Sequence, residues 1–254
     1  MTALWTVRHS LTMAWRNLTK LRHSPDQLID VVTMPIVLVA VFVYLFGNAV
    51  SGSTHSYLQY VLPGIAVQTL MFTALGIGVG LSNDQRNGIF DRLRSLPIAR
   101  SAPLIGYVVA DVFRYVLSLV LVFALGLALG FRTHANPLAI LAGCGIIVLF
   151  AFAVSWVMAL FGLLVRDPAG VNAFSFLLIL PLTFGSNVFV PVGKLPGWLQ
   201  AWVKINPVSH VSDAARNLLL GLPVGHSVVT ALLWSAVIVA VFGPLATWVY
   251  SRRV

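Results

Sequence analysis

VVTMPIVLVAVFVYLFGNAVSGSTHSYLQYVLPGIAVQTLMFTALGIGVGLSN, residues 31–83, contains not one Lys, Arg, Asp or Glu. A helix needs about 20 apolar residues to cross the hydrocarbon core of a bilayer, so this stretch holds two spans. The polar cluster Ser51-Gly52-Ser53-Thr54-His55-Ser56 divides them into roughly 31–50 and 58–81. Backbone polar groups in lipid must be satisfied within a helix or a closed barrel. Barrel strands are about ten residues long and alternate in polarity. These runs are longer and continuous, so they are helices.

Four more spans follow by the same reading. Leu104–Gly130 is the third and contains Asp111 and Arg114. The charge-free run 133–165 supplies a fourth from Pro137, and 168–193 a fifth, interrupted by Pro181. A sixth, near 226–250, is closed by Arg252-Arg253. The composition agrees: of 254 residues, 59% are hydrophobic and 9% charged, with a mean hydropathy of +0.92. Soluble domains carry about 25% charged residues. All seven acids are Asp. The net charge of +9 sits at span ends and forms no single stripe, which suits lipid headgroups and not nucleic acid. Cys144 stands alone in an apolar run, so no internal disulfide or cysteine metal site is expected. The first apolar run is preceded by an amphipathic stretch and is long enough to span, so it is not read as a cleaved signal peptide.

Lys and Arg orient the spans, because they concentrate on the cytoplasmic side. Arg8, Arg16, Lys20, Arg22, Arg86, Arg92, Arg94, Arg100, Arg166, Arg252 and Arg253 fall on one side, eleven in all. Arg132, Lys194, Lys204 and Arg216, four in all, fall on the other. Both termini and the 82–103 connection are therefore expected in the cytoplasm.

Outside the lipid core the chain divides into an N-terminal segment, 1–30, and the six-span body, 31–254. Leu4, Val7, Leu11, Ala14, Leu18 and Leu21 repeat on one face of a helix that would lie in the cytoplasmic interface, with anchoring as its main role. Between spans five and six, residues 191–225 read as an outer helical hairpin. Pro196 starts a short helix bearing Trp198, Leu199 and Trp202, Asn206-Pro207 breaks it, and a second helix over about 209–220 ends at Gly221. The tryptophans suit headgroup level, so the hairpin is expected to re-enter the outer leaflet, either as a structural lid or at the substrate exit.

No GxxxxGK[ST] phosphate loop, GxSxG or HExxH occurs, and the six histidines lack metal-ligand spacing. No catalysis, metal or cofactor is expected in this chain. Asp111 and Arg114 are the charges placed deep in a span, three residues apart on one helix face, where they can pair. Arg114 lies about 16 Å along the helix from Pro103. An intramembrane charge costs on the order of 2.5–3.5 kcal/mol and defaults to a functional reading, yet a self-paired Asp–Arg also fixes packing, and packing is the preferred reading.

The connection 82–103 is too long for a turn and too charged for lipid. Ile89, Leu93 and Leu96 repeat at helical spacing, while Asp91, Arg92 and Arg94 point elsewhere. Such a helix suits docking into a partner's groove; the alternative is a solvated loop. The stretch NGIFDRLRSLPIARSAPLIGYVVADVFR (87–114) resembles the second connection and third span of ABC-2 type permeases, in the daunorubicin-resistance-like exporter branch. PLTFGSNVFVPVGKLPGWLQAWVKINPVSHVSDAARNLLLG (181–221) resembles that family's fifth span and outer hairpin.

The resemblance implies a permease in a bacterial plasma (inner) membrane, working as a homo- or heterodimer with a separate ABC ATPase subunit that binds ATP and Mg. It implies export of an amphipathic drug or lipid-like substrate. It also implies a coupling helix over about 84–96, carrying Asp84, Arg86, Gly88, Ile89, Asp91, Arg92, Leu93 and Leu96, with 4–21 as a second contact. In this chain the acidic cluster before Gly88 is reduced to Asp84. The rival readings are an ion-coupled secondary transporter, against which stands the lack of internal repeats, a membrane-embedded enzyme, for which no clustered His or acidic residues stand at the interface, and a non-transporting membrane subunit.

Overall fold

In a computed structural model, the described residues are 33, 35–89, 102–165 and 167–253. The amphipathic stretch 4–21 and most of the 82–103 connection lie outside them. Among the described residues the regular elements are all helical. They are α1 (Pro35–Val50), α2 (Thr54–Arg86), α3 (Ala102–Ala128), α4 (Pro137–Leu164), α5 (Pro168–Phe184), α6 (Gly197–Ile205), α7 (Pro207–Leu220) and α8 (Ser227–Arg253), with a 3₁₀ turn at Val192–Lys194. A π-helical turn, Phe42–Phe46, interrupts α1.

Sequence-local chemistry starts the helices. α4, α5 and α7 each begin with Asn or Asp followed by Pro. The side chain caps an orphan N–H and the proline supplies the first helical φ without a donor to waste. Asn136 accepts from Ala139 N at 2.7 Å, Asp167 from Gly170 N at 3.2 Å and Asn206 from Val208 N at 2.9 Å. Gly221, at φ +70°, ends α7 in the left-handed conformation that only glycine adopts cheaply.

Four helices, α2, α3, α4 and α8, are long and apolar enough to cross a membrane. α1 and α5 are apolar but shorter. The fifth apolar run, read as one span over 168–193 with an interruption at Pro181, is divided elsewhere. Pro181 stays inside α5, and the helix stops at Phe184. Residues 185–191 then run without regular structure, although Ser186, Asn187, Val188 and Phe189 are all buried.

α2 is the axis of the bundle and packs on α1, α3, α4, α5 and α7; α4 continues the core to α7 and α8. α2 and α4 touch backbone to backbone. A Cβ added at Gly78 would stand 2.7 Å from Met158 O, and one at Gly162 2.7 Å from Gly78 Cα. Small residues at such a crossing let membrane helices approach without a hydrophobic driving force. The outward surface is apolar, with Leu45, Leu141, Leu177 and Leu233 all exposed. That is unlike a soluble domain, whose exposed apolar patches stay small.

The two ends of the bundle differ. At one, α2 starts, α3 ends and α4 starts beneath the α6–α7 hairpin; Gln59 Nε2 donates to Gly130 O and Thr133 Oγ1 to Leu219 O. At the other, the last turns of α2 and the first of α3 meet the ends of α4 and α8 in a cluster of Ile77, Leu81, Leu104, Leu163 and Tyr250.

Candidate functional site

The coupling candidates separate into two groups. Asp84 and Arg86 belong to the last turn of α2, which is one continuous helix from Thr54. The helix ends with Asn87 N bonded to Asn83 O and Gly88 N to Gln85 O, and Gly88 sits at φ +67°. Residues 84–86 are thus the last turn of α2, and the rest of the 84–96 segment expected to couple lies, beyond Ile89, outside the described residues. Ile89 is half-buried and packs on the Ile77–Leu81–Leu104 cluster of its own chain. Asp91, Arg92, Leu93 and Leu96 lie outside the described residues.

Asp84 is not a surface charge. It is 1% exposed and accepts a hydrogen bond from the Tyr107 hydroxyl of α3. Arg86, two residues on, is exposed. One turn before Asp84, the Tyr107 ring crosses the bare backbone of Gly80, whose added Cβ would stand 3.5 Å from Tyr107 Cε1. Ser82 donates to Val165 O at 3.1 Å and ties the same turn of α2 to the α4–α5 junction.

Deep in the bundle, Arg114 Nη1 meets Asp111 Oδ1 at 3.1 Å. Asp111 is buried and its second oxygen, Oδ2, has no hydrogen-bond partner among the described residues. Arg114 lies against Gly76 of α2, where an added Cβ would stand 3.1 Å from Nη1. Next to the pair, Tyr115 shares a hydrogen bond with Ser155 of α4, and Ser118 stands 3.4 Å from Thr73 of α2. The charges therefore face the α2–α3–α4 interior, and the arginine fits because residue 76 has no side chain.

A third constellation, at the hairpin end, was not singled out by sequence. Non-helical backbone at membrane depth is tolerated only where protein or trapped water satisfies it. The strap 185–191 is satisfied by side chains. Tyr57 donates to Phe189 O at 2.9 Å and Tyr60 to Asn187 O at 2.7 Å. Asn206 Nδ2 donates to Leu182 O at 2.8 Å and Gly185 O at 3.2 Å.

Arg216, counted above with the loop residues, lies buried in α7 and holds the group together. Its Nε donates to Tyr60 O at 3.0 Å, Nη2 to Asn187 O at 3.2 Å and Nη1 to Asp213 Oδ1 at 2.6 Å. The guanidinium lies 3.9 Å from the centre of the Tyr60 ring, a cation–π contact. Asn187 Nδ2 also donates to Asp213 Oδ1 at 2.8 Å. Gly64 makes room for the strap, since a Cβ there would stand 2.9 Å from Val188 Cγ1. The signal was present in the sequence. Asp213-Ala214-Ala215-Arg216 repeats the spacing of Asp111-Val112-Phe113-Arg114, and Gly185-Ser186-Asn187 is a run of turn formers.

Among the described residues, no group of three or more His, Cys, Asp or Glu is placed to hold a metal ion. What the geometry offers is mechanical: a clamped end at Asp84, a paired charge in mid-bundle and a hydrogen-bonded strap under the hairpin.

The family model described as ABC-2 type transporter matches residues 8–220. A daunorubicin resistance ABC transporter permease protein, DrrB1, from Streptomyces coeruleorubidus is 40% identical over 247 residues, covering 97% of this chain and 87% of the relative. A doxorubicin resistance ABC transporter permease protein, DrrB, from Mycobacterium tuberculosis is 30% identical over 205 residues, covering 81% of this chain and 68% of the relative.

Proposed function

The chain belongs to the ABC-2 type transporter family, and from that membership we propose that it is the permease subunit of an ATP-driven exporter that moves an amphipathic drug or lipid-like molecule out of a bacterial cell. The observation that carries this reading is the 40% identity, across 97% of the chain, with a permease named for daunorubicin resistance. A separate ATPase subunit binds ATP and Mg, and a second permease subunit completes the translocation path.

In this reading the spans are α1 to α5 and α8, and the α6–α7 hairpin re-enters the outer leaflet. The excess of basic residues puts the Asp84 end in the cytoplasm, where Arg86 and Arg252 are exposed. Trp198, 75% exposed, and Trp202 lie at the other end, in keeping with an interfacial belt. The segment after Gly88 docks on the ATPase. Nucleotide-driven approach of the ATPase subunits then moves the bundle as rigid bodies.

The test is reconstitution of the chain with its ATPase subunit into proteoliposomes, scored by uptake of daunorubicin and of a fluorescent phospholipid into inverted vesicles. Uptake that needs ATP, and stops when the ATPase phosphate-loop lysine is replaced, supports the proposal. Uptake driven by a proton or sodium gradient without the ATPase overturns it in favour of an ion-coupled transporter.

A further inference from the structure

We propose that Asp84 and Tyr107 form a positioning pair that closes the base of the coupling loop, making α2 and α3 move as one body, and that Asp84 is not a charge presented to the ATPase. The inference rests on the permease reading above and assigns these two side chains a role within it.

Four observations carry it. The carboxylate of Asp84 is 1% exposed and accepts from the Tyr107 hydroxyl, so it is directed into the bundle. The two residues belong to the helices that flank the loop: Asp84 lies in the last turn of α2 and Tyr107 in the second turn of α3. Between them the chain turns at Gly88, φ +67°, beyond which Ile89 packs back on the cluster at the same end. The Tyr107 ring lies across Gly80, one turn before Asp84, which places the hydroxyl at the carboxylate.

A loop that joins two helices transmits force to both only if its base is closed. With an open base, a push on the loop spreads the helices or bends the last turn of α2, and the displacement is lost there. Ser82, bonded to Val165 O, fixes the neighbouring face of the same turn to the α4–α5 junction. Tyr107 supplies the corresponding tie to α3, and Arg86 is left as the exposed charge available to a partner.

Chemistry separates this role from a charge contact. Asp84→Asn keeps an oxygen that accepts from Tyr107 but loses the charge. Asp84→Ala loses both, and Tyr107→Phe keeps the ring on Gly80 while removing the donor. The experiment uses the reconstituted permease–ATPase complex and measures recovery of the ATPase on affinity purification, together with daunorubicin moved per ATP hydrolysed. Asp84→Ala and Tyr107→Phe are expected to lower the transport-to-hydrolysis ratio by about tenfold, the scale set by one hydrogen bond to a charged acceptor, with the ATPase still bound. Asp84→Asn falls between Asp84→Ala and wild type, and adding Tyr107→Phe to Asp84→Ala costs less than Tyr107→Phe does alone. The proposal is overturned if Tyr107→Phe behaves as wild type while Asp84→Asn and Asp84→Ala both release the ATPase. Should Tyr107→Phe fail to reach the membrane, Asp84→Asn against Asp84→Ala decides: a clearly higher ratio in Asp84→Asn supports the pair and equal ratios overturn it. A wild-type complex without ATP-driven uptake would instead refute the permease reading itself.

Discussion

Asp111–Arg114 and Asp213–Arg216 are the same four-residue pattern in two settings. Each pair meets across one helical turn, at 3.1 Å and 2.6 Å. In α3 the aspartate is the more buried member, with Arg114 accommodated by Gly76. In α7 the arginine is buried, Asp213 is 41% exposed at its side chain, and Arg216 spends two further donors on the backbone of Tyr60 and Asn187. Spacing decides that the charges pair. What else the arginine touches sets how the pair is tied into the fold, and Arg216 is tied to the strap and to α2 through Asn187 O and Tyr60 O.

The largest effect is expected at Arg216. Arg216→Gln strips donors from two buried carbonyls and from Asp213, and loss of one partner from a buried charged network costs about 3–5 kcal/mol. Thermal unfolding in detergent should show it. Arg216→Lys should recover little, because an ammonium does not reproduce a planar fork of donors.

Slightly smaller, at about 3 kcal/mol each, are Asp111→Asn and Arg114→Gln, since each leaves a charge without its counter-ion in a low-dielectric interior. The two sites should part company in double-mutant cycles. Asp111→Asn with Arg114→Gln should be milder than the sum of the single changes, because both charges are removed together. Asp213→Asn with Arg216→Gln should cost nearly as much as Arg216→Gln alone, because the lost carbonyl donors are not restored. Equal coupling at both sites would break the distinction.

Gly76→Ala should cost about 1–2 kcal/mol through crowding of the Arg114 guanidinium, and that cost should shrink in an Arg114→Ala background. Smallest of all, Asp213→Asn should fall within about 0–1 kcal/mol, as expected for a half-exposed ion pair, because the amide oxygen still accepts from Asn187 and Arg216.

These contrasts also mark how far the sequence could be read. Continuous apolar runs are a local property, and they located the apolar helices, four of them long enough to cross a membrane. Asn136-Pro137, Asp167-Pro168 and Asn206-Pro207 place three helix starts by chemistry confined to a few residues. The hairpin was legible for the same reason. What the sequence hid depends on distant partners. Ser82-Asn83-Asp84-Gln85-Arg86 reads as the start of the cytoplasmic connection and its coupling helix, yet it continues α2, where Tyr107 donates to Asp84 and Ser82 donates to Val165 O. The run 168–193 reads as one span, yet Tyr57, Tyr60, Asn206 and Arg216 satisfy a non-helical strap within it. Arg216 was counted as a loop charge because its partners come from α2 and the strap, more than 25 residues away in sequence.

Coupling to a separate ATPase requires the Asp84 end of the bundle to face the cytoplasm. Single cysteines at exposed sites on the two ends, Gly197→Cys at the start of α6 in the hairpin and Asn87→Cys at the end of α2, read that out directly in a Cys144→Ala background. An impermeant thiol reagent applied to intact cells should label the Gly197→Cys variant and spare Asn87→Cys, which should react only after permeabilisation. Labelling of Asn87→Cys in intact cells would put the Asp84 end outside and contradict the account.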